Sequence, residues 1–230
     1  MKTIGLIGGL TWESTIEYYR IFNEEVLKRA GNRHTARIVM YSVDFQDVET
    51  LVSQWKMDEL AQLMGDAAAA VERGGADCLL VSANTMHMLA DEIQARVKIP
   101  LIHIAKATLK KVQEKGFSKV GLLGTKPTME MDFYKKIFNE AGVEIIIPGN
   151  EERQFIQDTI FNEFFSGIMN NSSRKKMIGI MERLVLQGAQ GVILGCTEIP
   201  LLVKQEHTAI PLFDTTYIHA SAGVDFALAE

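Results

Sequence analysis

Two kinds of apolar pattern alternate along the chain. Short apolar runs with the composition of buried strands are separated by longer segments in which apolar residues recur at helical spacing. The predicted strands are 3–8, 37–43, 78–82, 120–124, 144–147 and 191–194. The predicted helices are 13–29, 57–72, 85–96, 129–141 and further helical segments up to 187. Strands that alternate with helices predict an α/β fold with mostly parallel sheets flanked by helices.

The second half of the chain repeats signals of the first half in the same order. Residues 4–9 match 120–125, 75–81 match 188–194, and 99–102 match 210–213. This duplication predicts two α/β lobes related by a pseudo-twofold axis, with the active site in the cleft between equivalent strand ends. We expect residues 1–99 to form the first lobe together with 213–230, a returning C-terminal helix. Residues 100–212 are expected to form the second lobe.

The repeat places residues 83–85 opposite residues 196–198, at points where a strand ends and a helix begins. Backbone N–H groups and the helix dipole at such a point favour an anion, and we expect them to lower the pKa of Cys196. Cys196 is therefore the candidate catalytic base. Cys78 lies inside an apolar strand and is expected to be core packing.

Hydroxyl side chains follow the first strand of each half. Thr11 and Ser14 come after Gly8 and Gly9, and Thr125 and Thr128 come after Gly124. These side chains suit helix capping, and they also suit presentation of hydroxyls to a ligand; the two roles are compatible. Asn84 and Thr85 are stronger ligand candidates because the repeat places them beside the expected ligand position. His87, one helical turn further on, is expected to reach the cleft or to pack.

Composition narrows the class of protein. The chain has 230 residues, 47% of them hydrophobic and 23% charged, as expected for an ordinary globular protein. Its net charge is −5 with scattered Lys and Arg, which argues against nucleic acid as a partner. There is neither a signal-peptide pattern nor an apolar run of the roughly 20 residues that a membrane helix needs. Two cysteines without metal-like spacing predict no metal site and favour the cytoplasm.

The chain resembles the aspartate/glutamate racemase family, in particular its aspartate racemase and broad-specificity amino acid racemase branch. The resemblance is carried by four motifs: GGLTWEST at 8–15, NTMH at 84–87, LGT at 123–125 and GCTE at 195–198. It implies a homodimeric isomerase that racemises an amino acid with two cysteines and no cofactor. The substrate-binding positions that we assign on this basis are Thr11, Asn84, Thr85, Thr125, Thr128, Thr197 and Glu198.

The chain departs from the family pattern at the first cysteine, because Ala83 occupies that position. Alanine has no proton to exchange. Four interpretations stay open: Ser82 or Thr85 replaces the acid, directly or through water; His87 does so; a single base supports a one-sided reaction such as decarboxylation; or the site is impaired and only binds an amino acid.

A second departure concerns recognition of the substrate side chain. Aspartate racemases resemble one another in offering a basic residue shortly before the glycine that is Gly167 in this chain. This chain has FFS at 164–166 instead. A buried carboxylate without a positive partner is costly, so a neutral or apolar amino acid is a serious candidate substrate.

Overall fold

The computed structural model describes residues 1–164 and 167–229, which divide into two compact units. Unit 1 comprises Met1–His103 and the chain from His219 onward, and unit 2 comprises Ile104–Ile218. The division predicted from the sequence put both crossings a few residues earlier, at 99/100 and 212/213. Leu101 belongs to unit 1 because it forms a parallel bridge with Leu79 at the edge of that sheet.

Unit 1 is built on a parallel sheet of strand order β2-β1-β3. Its strands are β1 (Ile4–Gly8), β2 (Ile38–Ser42) and β3 (Cys78–Val81). Its helices are α1 (Trp12–Ala30), α2 (Phe45–Ser53), α3 (Met57–Arg73), a 3₁₀ helix (Thr85–Leu89) and α4 (Ala90–Gln94). Every strand pair in this sheet is parallel, as the alternation of strands and helices predicts.

Unit 2 contains a four-stranded parallel sheet of order β5-β4-β6-β7. The strands are β4 (Lys119–Gly124), β5 (Glu144–Ile146), β6 (Val192–Gly195) and β7 (Leu212–Asp214). The helices are α5 (Ile104–Glu114), α6 (Lys126–Glu130), α7 (Asp132–Glu140), α8 (Asn150–Asn162), α9 (Asn171–Leu186) and α10 (Ile199–Leu202). A 3₁₀ helix follows at Gln205–His207, and α11 (Thr215–Leu228) leads the chain back into unit 1.

The same hydrogen bonds recur at repeat-related positions of the two units. Leu79 N–H donates to the Pro100 carbonyl at 2.9 Å, and the matching Val192 N–H donates to the Pro211 carbonyl at 2.8 Å. The side chain of Asp77 accepts from the backbone N–H of Thr3 at 2.6 Å. Its counterpart Gln190 accepts from Lys119 N–H at 3.1 Å. The α/β class and the duplicated strand order are confirmed, while the pseudo-twofold axis and the cleft stay predictions.

Apolar side chains cover both faces of each sheet, so that a buried apolar cluster lies on either side of the sheet in each unit. Ile7 and Val81 join one buried cluster, whereas their strand neighbours Leu6 and Leu80 join the cluster on the opposite face. Cys78 is fully buried in the second cluster, so the prediction that it is core packing is confirmed.

Two predicted helical regions differ from the structure, and one helix of the structure was not predicted. The segment 85–96 is a 3₁₀ helix followed by α4, and the segment 129–141 is broken at Met131, whose backbone is extended. Helix α2 lay outside the predicted elements; it is capped by Asp44, whose carboxylate accepts from Gln46 N–H at 2.9 Å. The spacing of apolar residues does not change at such breaks, so periodicity alone does not predict them.

Candidate active site

Three buried polar or reactive residues follow strand β6 directly. Cys196, Thr197 and Glu198 are each less than one-tenth exposed, and α10 begins at Ile199. Glu198 Oε2 accepts two hydrogen bonds, one from Cys196 Sγ at 2.9 Å and one from Thr197 Oγ1 at 2.9 Å. Thiol, hydroxyl and carboxyl groups are therefore joined in one buried cluster at the carboxyl end of a strand.

The electrostatic surroundings of Cys196 differ from the sequence-based expectation. Burial is the main cause that raises its pKa well above the usual value, and the adjacent Glu198 carboxyl raises the pKa further. The backbone N–H groups of Glu198 and Ile199 lower the pKa without outweighing these effects. The prediction of a lowered pKa was wrong, because α10 is a single turn and the sulfur is desolvated beside a carboxyl group. Burial and the neighbouring carboxyl group therefore favour the thiol of Cys196 over the thiolate.

The equivalent positions of unit 1 follow strand β3. Ala83 is half-buried and Asn84 is 4% exposed, and Thr85 opens the 3₁₀ helix. Ser82 is fully buried, and its hydroxyl has no hydrogen-bond partner among residues 1–164 and 167–229. The Ala83 carbonyl accepts a hydrogen bond from His87 Nδ1 at 2.8 Å, which fixes the backbone of this turn.

His87 cannot supply the missing acid near neutral pH. Its pKa is lowered to about 3, first by burial and then by the neighbouring His103. Because Nδ1 carries the ring proton that it donates to Ala83, the remaining nitrogen is unprotonated. The interpretation that His87 replaces the first cysteine as acid is therefore wrong, and His87 packs instead.

His87 belongs to a cluster of three histidines, of which His87 and His219 are buried, that the sequence did not reveal. Its ring lies 4.8 Å from that of His103 and 5.3 Å from that of His219, centroid to centroid. His219 donates from Nε2 to the Ile102 carbonyl at 2.6 Å and accepts at Nδ1 from the Tyr18 hydroxyl at 2.7 Å. These residues are far apart in sequence without a common motif, so only the fold identifies the cluster.

A pair of hydroxyl side chains follows the first strand of each unit. Thr11 caps α1, and its Oγ1 lies 2.7 Å from the hydroxyl of Ser14. Thr125 is the residue before α6, and its Oγ1 lies 3.1 Å from Oγ1 of Thr128. The capping role is thus present for Thr11, while a role of these hydroxyls in binding substrate stays a prediction.

In each unit, the hydroxyl pair and the three residues at the strand end (83–85 or 196–198) lie at the carboxyl ends of adjacent parallel strands. In unit 1 they leave the adjacent parallel strands β1 and β3, which pair at Ile7 and Val81. In unit 2 they leave β4 and β6, which pair at Gly124 and Gly195. Ligands of parallel α/β sheets bind outside the carboxyl ends of the strands, where these residues lie.

Within the part of the chain that the structure describes, no three His, Cys, Asp or Glu side chains are grouped so that they could hold a metal ion. Among those same residues, no helix is both long and apolar enough to cross a membrane.

Comparison with known proteins identifies the family. The model of the Asp/Glu/hydantoin racemase family matches residues 7–223. The chain belongs to this family. It is similar to a Yersinia pestis protein assigned to the Asp/Glu racemases, with 44% identity, full coverage of both chains and a TM-score of 0.93.

Two further relatives agree with this membership of the Asp/Glu/hydantoin racemase family. An aspartate racemase homologue from Pyrococcus horikoshii OT3 is 34% identical over the whole of both chains, with a TM-score of 0.87. A broad-specificity amino-acid racemase from Bacillus subtilis (strain 168) is 26% identical over 175 residues, which is 75% of this chain and 74% of that protein. The resemblance found in the motifs is confirmed, and the chain is a racemase, an enzyme of the isomerase class.

Proposed function

We propose that this chain racemises an amino acid without pyridoxal phosphate or another cofactor, and that Cys196 removes the α-proton. The observation that carries the proposal is the buried hydrogen bond from Cys196 to Glu198 at the end of β6. A thiolate formed there is a base in a desolvated setting, where proton abstraction from carbon is favoured. Relatives named as amino-acid and aspartate racemases support the substrate class.

Hydrogen-bond donors take over the task of stabilising the carbanion in this proposal. Loss of the α-proton places charge on the substrate carboxylate, and pre-oriented amide and hydroxyl donors lower the energy of that charge. We assign this role to Asn84, Thr85, Thr125 and Thr197, with Thr11 and Thr128 supporting their neighbours. The hydrogen bonds between Thr125 and Thr128 and between Thr11 and Ser14 support the assignment, because they fix the hydroxyl positions in advance.

The opposite face of the α-carbon receives its proton from a group other than Ala83. Ser82 and Thr85 remain as candidates, acting directly or through water. Ser82 is favoured because its hydroxyl is buried and has no hydrogen-bond partner among the residues that the structure describes. A serine hydroxyl is a far weaker acid than a thiol, so we expect slow or strongly asymmetric racemisation.

The side chain of the substrate is proposed to be neutral or apolar. The segment 164–166 lacks a basic residue that could pair with a substrate carboxylate. Phe165 and Ser166 lie outside the described residues, so this support comes from the sequence alone. Aspartate and glutamate are the competing substrates.

The proposal is tested by α-proton exchange. Purified protein is incubated in deuterated water with a panel of L- and D-amino acids, and both deuterium incorporation and chirality are followed. We expect exchange in the wild type and a loss of at least ~100-fold in Cys196→Ala, because the base is removed. Cys78→Ala is the matched control, since Cys78 is buried in the core of unit 1, and its exchange rate should be unchanged.

Each other outcome favours a different function for the site. Exchange without inversion means that Cys196 works alone on one face. If no amino acid exchanges but a malonate-type acid loses carbon dioxide, the chain is a lyase of the same fold. Thermal stabilisation by an amino acid without any turnover indicates a protein that only binds it.

We also propose that the chain assembles as a homodimer. One face of α1 exposes three large apolar side chains at i, i+4 and i+7: Trp12, Ile16 and Tyr19 are 66%, 52% and 57% exposed. Light scattering should give twice the mass of the 230-residue chain, and Ile16→Glu should reduce it to one copy. A single-copy wild type would contradict this proposal.

A cytoplasmic location is proposed on the basis of cysteine usage. Cys78 and Cys196 are both free thiols, as is usual in a reducing compartment. Cell fractionation that recovers the protein elsewhere would refute it.

A further inference from the structure

We infer that Thr215 is a positioning residue for Cys196, because its hydroxyl holds the end of strand β6 from which the thiol-bearing segment leaves. The inference rests on the proposed function, in which Cys196 is the base. It assigns a role to a residue that the sequence did not single out.

Strand β6 loses its neighbour β7 shortly before Cys196. Residues 192–194 of β6 pair in parallel with residues 212–214 of β7, and the pairing ends there because α11 begins at Thr215. A buried backbone carbonyl at such a point needs another hydrogen-bond donor. The side chain of Thr215 supplies it: Oγ1 donates to the Leu194 carbonyl at 2.7 Å. A side-chain hydroxyl thus continues the contact between the two segments by one hydrogen bond.

This hydrogen bond lies close to the thiol along the chain and is shielded from water. Only Gly195 separates Leu194 from Cys196. On one side the end of β6 is held by the pairing of Gly195 with Gly124 of β4, and Thr215 provides the support on the other side. Thr215 is fully buried and Leu194 is 1% exposed, so water does not compete for the carbonyl.

Thr215 is itself held in place by the first turn of α11. Asp214 Oδ1 accepts hydrogen bonds from the backbone N–H groups of Thr216 at 2.9 Å and Tyr217 at 3.1 Å, as a helix cap does. The β-branched side chain of threonine also has few rotamers. The hydroxyl of Thr215 is therefore a donor with a fixed position.

The internal repeat shows that this hydroxyl accompanies the thiol. Residues 99–102 match 210–213, which makes Ile104 of unit 1 the counterpart of Thr215. The isoleucine side chain has no donor, and the strand end of unit 1 carries Ala83 where unit 2 carries Cys196. Because the sheet of unit 1 forms without a hydroxyl at this position, we assign the hydroxyl of unit 2 to the reactive residue beside it.

The expected effect of Thr215 is on the chemical step. Removal of the α-proton requires Sγ of Cys196 at a definite distance and angle to the C–H bond, and a displacement of about 1 Å can cost roughly 100-fold in rate. Binding of the amino acid depends mainly on other groups in the proposed function, such as Asn84 and Thr125. Loss of the Thr215 hydroxyl should thus lower kcat and leave KM nearly unchanged.

The substitution Thr215→Val tests this role, because valine has the shape of threonine without the hydroxyl. We expect kcat for α-proton exchange to fall at least ~10-fold and KM to change less than about threefold. Thr215→Ser restores a hydroxyl and should keep kcat within about threefold of the wild type. If valine prevents folding, Thr215→Ala leaves room for a water at the Leu194 carbonyl, and a loss of kcat in the same direction is expected.

Thr159→Val is the matched control. Thr159 is a buried residue of the same unit, and its Oγ1 donates to the Phe155 carbonyl at 2.8 Å within α8. Its loss should lower stability and leave kcat unchanged, with all variants assayed at a temperature below their unfolding transitions. Equal losses of kcat in the two valine variants, or a rise of KM alone in Thr215→Val, would overturn the inference.

Alkylation by a small thiol reagent tests the hydrogen bond without any substrate. Mass spectrometry separates modification of Cys196 from that of Cys78, which is buried in unit 1 and reports general unfolding. We expect Thr215→Val to raise the alkylation rate of Cys196 relative to that of Cys78 at least ~10-fold, because a loosened strand end exposes the sulfur. An unchanged ratio overturns the inference. A wild type that exchanges no amino acid refutes the proposed function, and this ratio then decides the inference by itself.

Discussion

At the scale of single residues, the two strand ends differ in their chemistry: residues 83–85 follow β3 and residues 196–198 follow β6. Cys196 carries an ionisable proton that is hydrogen-bonded to Glu198, whereas Ala83 carries a methyl group. The backbone at Ala83 is held by His87 through its carbonyl, a contact that does not depend on the side chain at position 83. This position can therefore accept a small side chain without losing the turn.

Replacing Ala83 by cysteine should supply the missing acid. A thiol is a much stronger acid than a serine hydroxyl, so we expect Ala83→Cys to raise the ratio of inversion to α-proton exchange at least ~10-fold. Chiral chromatography combined with mass spectrometry measures both quantities. Ala83→Ser serves as the control of similar size, and equal ratios in the two variants would show that acidity at this position does not limit inversion.

At the scale of elements, glycines allow the strand ends of unit 2 to approach closely. A Cβ on Gly195 would lie 2.8 Å from the Leu123 carbonyl oxygen and 3.2 Å from Thr128 Cγ2. A Cβ on Gly124 would lie 2.7 Å from the Gly195 carbonyl oxygen. The contact between β4 and β6 that positions Cys196 and Thr128 therefore requires residues without side chains.

Gly195→Ala should destabilise unit 2, because backbone and Thr128 must move to admit the methyl group. We expect a loss of about 1–3 kcal/mol in the free energy of unfolding, measured by urea denaturation. Gly179→Ala is the matched control: it lies within α9, where a Cβ meets only Arg183 Nη1 at 3.6 Å. That substitution should stabilise by about 0.5–1 kcal/mol. Equal effects of the two changes would argue against the close packing.

At the scale of the whole molecule, the histidine cluster makes stability depend on pH. His87, His103 and His219 come from different segments of unit 1, and the rings of His87 and His219 are buried. Burial is the main cause that lowers the pKa of both, to about 3 for His87. His87 and His219 therefore fold in the neutral form, and protonation favours the unfolded chain, in which their pKa is ordinary.

Stability should therefore fall as the solution is acidified below the ordinary histidine pKa of about 6.5. For His87 the loss should continue toward pH 3, at roughly 1.4 kcal/mol per pH unit, while above about pH 7 its contribution is complete. Urea unfolding followed by circular dichroism at several pH values measures this slope. His87→Gln should reduce the slope, and the exposed His34→Gln should not. An unchanged slope in His87→Gln would refute the role of this histidine.

The sequence by itself determined the α/β class, the duplicated strand order and the identity of Cys196 as the notable thiol. These features depend on local periodicity and on motifs such as GCTE, which neighbouring residues encode. Tertiary structure decided the state of Cys196 and the exclusion of His87 as acid. Both depend on desolvation and on the neighbours that folding brings into contact, such as His103 and His219 around His87. A local motif identifies the reactive residue, whereas the pKa of its side chain depends on surroundings that only the fold brings together.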